Sequence, residues 1–321
     1  ITPFVTILHF DYPLAIHKNT GGFLNSSIVN YYKDYCELLF KTYGDRVKHW
    51  TTVNEPQVVG LFTYMHAYDN DDPEPCQTTK LCKQAYIVVH NYILCHAAAV
   101  KLYREKFYET QGGEIGLVLG SQSFEPYSSK SEDVAAAKRL MDFFMGWILD
   151  PVVYGDYPKI MRDLVGNRLP NFTEEEKNFV AGSTDFIGIN YYTSHFAKHE
   201  TNKTNMILSD NYDALGISVG LYDVLQHIKK KYQNPNIYIT ENGIASFNIT
   251  NPLKDTHRIK YLATHLNSTK AAIDNGVRVR GYFVWAAFDT FEFRAGFSQN
   301  WGLIHVDFKH DLMRQPTTAA K

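Results

Sequence analysis

Residues 47–56 read VKHWTTVNEP, a short apolar, β-branched run that ends in a carboxamide, a carboxylate and a proline. Apolar side chains on both parities suit a strand covered on both faces. Pro56 cannot continue a ladder, so Asn54 and Glu55 are placed at the carboxyl end of a buried strand. The same pattern recurs on either side, at PFVTIL (3–8), IGLVLG (115–120), DFIGIN (185–190), IYIT (237–240) and GYFVWA (281–286). Helical patterns fill the intervals: 27–43 closed by Gly44, 84–107, 132–147, 217–232, and 255–275 closed by Gly276. Six strands alternating with helices, with no Pro/Ser-rich linker and no shift in composition, predict one α/β domain over residues 1–321.

Two architectures fit such alternation, an open doubly wound sheet and a (β/α)₈ TIM barrel. Chemically active residues follow most of the strands: His9 and Asp11, Asn54 and Glu55, Asn190 and Tyr192, Glu241 and Asn242, Trp285 and Asp289. A barrel gathers such positions around one mouth. An open sheet would concentrate them at a switch point and would usually carry a glycine-rich phosphate loop after a strand. Gly112-Gly113 precedes a strand, and neither GxGxxG nor GxxxxGK[ST] occurs, so the pattern favours the barrel.

The bulk composition narrows the partners. Thirty-two Lys and Arg stand against 34 Asp and Glu, a formal charge of −2, which argues against a nucleic-acid or anionic-membrane partner held by bulk charge. No run of about 18 consecutive apolar residues is present. The thirteen histidines show no HExxH or similar ligand spacing, so neither a metal nor another cofactor is expected. Aromatic residues make up 14% of the chain, and flat aromatic faces suit the apolar sides of sugar rings. Cys36 and Cys95 lie in helical patterns and read as buried thiols. Cys76 and Cys82 bracket the loop CQTTKLC, a spacing that would close as a disulfide in an oxidising compartment but is too wide for a CxxC pair. Five N-x-[S/T] sequons, at Asn25, Asn171, Asn202, Asn248 and Asn267, favour secretory routing, vacuolar or extracellular.

Glu55 in TVNEP and Glu241 in ITENG each close an apolar strand before a turn. Burying a carboxylate costs several kcal/mol without a partner, so two such residues suggest a site rather than chance; the bland alternative is that both cap turns or helices. The chemistry that uses two facing carboxyls is glycoside hydrolysis. One protonates the leaving oxygen while the other attacks the anomeric carbon or activates water.

TVNEP (52–56) and ITENG (239–243) resemble the two signature segments of glycoside hydrolase family 1, the retaining β-glucosidases. The resemblance continues in family order through VTILHFDYP (5–13), GINYYT (188–193), VWAAFDTFEF (284–293) and NWGLIHVDF (300–308), and it covers essentially the whole chain. The loop CQTTKLC with the helix after it resembles the plant-type branch, in which such a Cys76–Cys82 pair would be a disulfide. The resemblance implies a (β/α)₈ barrel of which this chain holds approximately strands 3 to 8. It makes Glu55 the general acid/base and Glu241 the nucleophile, about 5–5.5 Å apart in a retaining enzyme. It further implies that Asn54 binds the sugar 2-hydroxyl, His9 a glycone hydroxyl, and Glu292 the 4- and 6-hydroxyls with Phe293 beside it. Tyr192 would orient the nucleophile with Asn190 in the same wall, and Trp285 would form the platform under the ring. Glutamate at position 55 points to O-glycosides, since thioglucosidase relatives carry Gln there. Glu292 points to an unphosphorylated glycone, because a carboxylate there repels a 6-phosphate.

The implied partner is a small β-glucoside, with no nucleic acid, membrane or cofactor. Phe10, Leu14 and Phe293 depart from the family's usual Trp, Gln and Trp, and the last change removes an indole N–H donor. By the same analogy two barrel strands precede residue 1, together with a glycone-binding Gln and an Arg near the nucleophile. A chain ending there would expose two parallel strand edges. A truncated, inactive sugar-binding relative and a transglucosidase are therefore the competing expectations.

Overall fold

A computed structural model describes residues 1–65, 79–199, 218–246, 251–293 and 295–321. Within it, β1 (Phe4–Leu8), β2 (His49–Asn54), β3 (Glu114–Pro126), β4 (Ile187–Ala197), β5 (Ile237–Glu241) and β6 (Val279–Tyr282) form one sheet in the order β1-β2-β3-β4-β5-β6. The β1/β2, β2/β3 and β5/β6 ladders are parallel. A doubly wound sheet reverses its strand order at a switch point; here the spatial order follows the chain throughout, with helices in the crossovers. This is the winding of a (β/α)₈ barrel, and the six strands are those read from the sequence.

The boundaries differ where local pattern underdetermines them. β3 runs on to Pro126 because Ser121, Ser123 and Phe124 stay buried beyond the apolar run. β6 stops at Tyr282, short of the expected 286. A hairpin of β7 (Ile304–Asp307) and β8 (Met313–Pro316), antiparallel, forms a second sheet that the sequence reading did not include. The helix expected over 132–147 is Ser131–Met141, which passes through a π-helical turn at Asp142–Gly146 into Trp147–Tyr154, ended by Gly155 at φ 90°.

The chain divides into two compact units. The first comprises Ile1–Gly120, Pro126–Gly188 and Ala197–Asn205, and the second Ser121–Glu125, Ile189–Phe196 and Met206–Lys321. In the first unit the core forms where helix Ile28–Tyr43 and helix Thr79–Lys106 cover β1 and β2. Cys36, Phe40, Trp50, Tyr92, Cys95 and Tyr103 are fully buried there. Segment Lys83–Lys106 is long and apolar enough to match a membrane span by length and composition, yet it is mostly buried inside the fold, as in a core helix. In the second unit Leu221, Leu225 and Ile228 of helix Ser218–Lys231 are buried, as are Ile237 and Ile239 of β5.

Cys36 and Cys95 are free, buried thiols as expected, and burial pushes Cys36 up to about 12. The Cys76–Cys82 bridge receives no support: Cys76 lies outside the described residues, and no disulfide occurs among those described. Sequons Asn202 and Asn248 also lie outside them, whereas Asn25, Asn171 and Asn267 are exposed.

Candidate active site

His9, Asn54, Glu55 and Glu241 close or directly follow β1, β2 and β5, Asn190 and Tyr192 lie within β4, and Trp285, Glu292 and Phe293 lie in the segment after β6. In the first unit His9 comes directly after β1, and Leu8 pairs with Val53, so His9 and Asn54 end neighbouring parallel strands. Burial depresses the His9 pKa, with Asp11 opposing it. The ring is therefore held neutral, able to offer one donor and one acceptor to a hydroxyl.

Glu55 adopts φ 45°, ψ 58°, a left-handed conformation that costs a non-glycine residue about 1–2 kcal/mol. Its backbone hydrogen bonds hold it there. Pro56 disfavours the right-handed helical region for the residue before it and starts the turn Pro56–Val58. The Glu55 N–H donates to the Val118 carbonyl at 2.9 Å, and its own carbonyl accepts from Val58 N–H at 2.9 Å. Strain of this kind persists only where the surroundings over-determine it, and it clusters at functional sites.

The second unit assembles a continuous polar network. The Tyr192 hydroxyl donates to Glu241 Oε2 at 2.5 Å, and Thr240 Oγ1 donates to Asn190 Oδ1 at 2.7 Å. These bonds join β4 to the end of β5. Behind them Asn242, fully buried, donates to the Tyr191 carbonyl at 2.7 Å and accepts from the Tyr282 hydroxyl. Tyr261 donates to the Tyr192 carbonyl at 2.7 Å. Burial raises the pKa of both Tyr261 and Tyr282, so these hydroxyls remain donors. Trp301 meets the Tyr192 ring edge-on at 5.4 Å. Tyr261, Tyr282 and Trp301 were missed from sequence, because a Tyr or Trp on a helix, an edge strand or a loop carries no local mark of its partner.

Trp285 is anchored by its N–H to the Asn242 carbonyl at 3.0 Å. A Cβ at Gly243 would collide with the Trp285 carbonyl oxygen, which explains the glycine of ITENG. The Trp285 indole N–H donates to Glu292 Oε1 at 3.2 Å, bringing the expected platform and the expected 4,6-hydroxyl acceptor together. Burial raises the Glu292 pKa, the Trp285 bond opposes this, and Asp289 adds to it. Phe293 is 47% exposed.

Asp289, expected to follow the sixth strand as a mouth residue, is instead a buried latch. It accepts from Gly302 N–H at 2.8 Å, Asn300 Nδ2 at 2.7 Å and Val306 N–H at 3.2 Å, and it pairs with His305 Nδ1 at 2.7 Å. Among the described residues no cluster of His, Cys, Asp or Glu could hold a metal ion.

The model of glycosyl hydrolase family 1 matches residues 1–321. The chain belongs to that family. Among curated relatives, a furostanol glycoside 26-O-β-glucosidase of Hellenia speciosa is 44% identical over all of this chain and 62% of its own length. Beta-glucosidase 24 of Oryza sativa subsp. japonica is 38% identical over all of this chain and 70% of its own. The crystal structure of a rice β-glucosidase superposes with a TM-score of 0.90 at 36% identity, covering 99% of this chain and 74% of that one. A mutant of the same rice enzyme, in a covalent complex with Glc, gives 0.88 at 35% identity. This family 1 chain thus spans about six-tenths to three-quarters of these relatives' lengths.

Proposed function

We propose that the protein is a retaining O-β-glycosidase acting on a β-glucoside by double displacement. Glu241 attacks the anomeric carbon while Glu55 protonates the aglycone oxygen; Glu55 then takes a proton from the water that releases the sugar. The observation that carries this reading is the 2.5 Å bond from the Tyr192 hydroxyl to Glu241 Oε2. A carboxylate that accepts a short phenolic bond is held ionised and oriented, the state a nucleophile needs and a general acid does not. The strained, doubly anchored backbone of Glu55 supports the complementary role. The covalent Glc complex of the rice relative supports the intermediate.

In this reading His9, Asn54, Glu292 and Trp285 bind the glycone, Asn190 and Tyr192 support the nucleophile, and Phe293 borders the sugar site. A single catalytic domain over residues 1–321 belongs to the same reading. The test is the anomer released from an aryl β-glucoside, followed by ¹H NMR in the first minutes, with Glu241→Gln as control. Retention with a silent control supports the assignment; inversion, or a control as active as the parent chain, refutes it. A secretory destination is proposed alongside, supported by the exposure of Asn25, Asn171 and Asn267. Mobility unchanged by endoglycosidase on the protein from its natural source would count against it.

A further inference from the structure

Three side chains from the turn after β2 converge on one glycine of β3. A Cβ built at Gly120 would lie 3.2 Å from Glu55 Oε1, 3.3 Å from Val58 Cγ2 and 3.4 Å from Gln57 Nε2. Gly120 is fully within the buried part of β3, and its φ is not in the left-handed region, so backbone freedom does not explain it. What the glycine supplies is room: the carboxyl of Glu55 lies 3.2 Å from where a Cβ would stand, closer than ordinary van der Waals contact allows. Gln57 fixes that arrangement from the other side. Fully buried, it donates through Nε2 to the Gly120 carbonyl at 2.7 Å. The Glu55 N–H bond to Val118 at 2.9 Å ties the turn to the same strand two residues earlier. The carboxyl therefore rests against a strand that its own turn grips at two points.

We propose that Gln57 and Gly120 are positioning residues for Glu55, the amide-to-carbonyl bond and the missing side chain together fixing where that carboxyl sits. The inference rests on the reading of Glu55 as the acid/base, and its test separates the two. Gln57→Met keeps the length and removes the bond. Gly120→Ala inserts a methyl at less than ordinary van der Waals distance. Gly120→Ala puts a methyl beside the carboxyl, and Gln57→Met replaces a polar amide by hydrocarbon at the same glycine, both of which disfavour the charged form of Glu55.

The first readout needs no catalysis. The Glu55 carboxyl is titrated by ¹³C NMR in the full chain labelled at glutamate, and its resonance is assigned by loss in Glu55→Gln. The midpoint rises in both variants. A midpoint unmoved in both overturns the proposal, whatever the protein's activity.

The second readout is kcat/KM on two aryl β-glucosides, one with a dinitrophenolate leaving group and one with a phenolate of high pKa. A carboxyl displaced by a few tenths of an ångström loses about tenfold in general-acid efficiency. The poor leaving group therefore slows about tenfold in either variant, while the good one, which needs no proton, slows less than about twofold. Equal losses on both substrates indicate a merely structural role and overturn the proposal. If Glu55→Gln itself fails to discriminate between the two substrates, the acid/base reading falls instead, and the titration alone decides whether the pair positions the carboxyl.

Discussion

Replacing Tyr192 by Phe removes one oxygen and little else. The ring keeps its edge contact with Trp301, at 5.4 Å between centroids, and the backbone carbonyl keeps its bond from Tyr261. What is lost is the bond to Glu241 Oε2 at 2.5 Å. A hydrogen bond to a charged group contributes about 1.5–3 kcal/mol, and about 1.4 kcal/mol is a factor of ten. If that bond holds Glu241 ionised and aimed, Tyr192→Phe lowers kcat/KM for an aryl β-glucoside by about 10- to 100-fold. The same loss removes a donor to the charged carboxylate, so the acidic limb of the kcat/KM profile moves to higher pH. The assay is the full pH profile of the parent chain and the variant on one substrate. An acidic limb that stays in place would show that the phenol does not sustain the charge of Glu241, and the nucleophile assignment would lose its principal physical support.

Other consequences are directly measurable. Arg258 and Asp255 form a buried pair at 2.5 Å, both essentially inaccessible, and Arg258 also donates to the Gly302 carbonyl at 2.9 Å and the Asn300 carbonyl at 3.0 Å. Arg258→Met leaves the buried Asp255 carboxylate without its charge partner, with the Ala319 N–H at 2.9 Å still donating to it, and should cost about 3–5 kcal/mol in urea unfolding, against less than about 1 kcal/mol for the exposed pair variant Lys270→Met. His90 is buried with its pKa lowered to about 4, chiefly by desolvation. Between about pH 4 and 6.5 the unfolded chain binds more protons there, so stability falls as the solution is acidified, by at most about 1.4 kcal/mol per pH unit from this residue. His90→Phe flattens the slope of urea stability against pH over that window, and an unchanged slope would contradict the assignment. Glu292 carries the opposite sign, since its raised pKa means that it opposes folding once pH exceeds its unfolded value. Glu292→Gln therefore gains stability at pH 7 relative to pH 4 while KM for the glucoside rises, and a stability difference that does not depend on pH would refute the burial argument.

The positions of the six sheet strands and five long helical segments were legible because each carries its own periodicity or apolar run, and the ordered polar residues after the strands separated a barrel from an open sheet. Less local features were not. In the β7–β8 hairpin, β7 is only four residues long and β8 is wholly exposed at Met313, Arg314, Gln315 and Pro316, so its pattern resembles a loop. The short helices Leu14–Thr20, Lys159–Val165 and Glu174–Val180 are too brief for periodicity to declare them, although the capping box of Thr173 and Glu176 was there to be read. At the site, motif residues such as Glu241 and Trp285 were visible by position. Their supports, Tyr261, Tyr282, Gln57 and Gly120, were not, because a hydrogen bond between distant segments leaves no mark on either. Asp289 shows the reverse error: a polar residue after a strand can serve the fold, here by accepting from four groups of the segment Asn300–Val306.

The chemistry assigned to Glu241 is tested most directly by trapping. A 2-deoxy-2-fluoro β-glucoside with a good leaving group slows the release of a covalent glycosyl-enzyme more than its formation, and peptide mass spectrometry then locates the sugar. The account predicts one glucosyl adduct, on the peptide containing Glu241, absent from Glu241→Gln and reduced in Tyr192→Phe. An adduct on any other residue, or a chain that turns over β-glucosides with release of the α-anomer and no adduct, would contradict it.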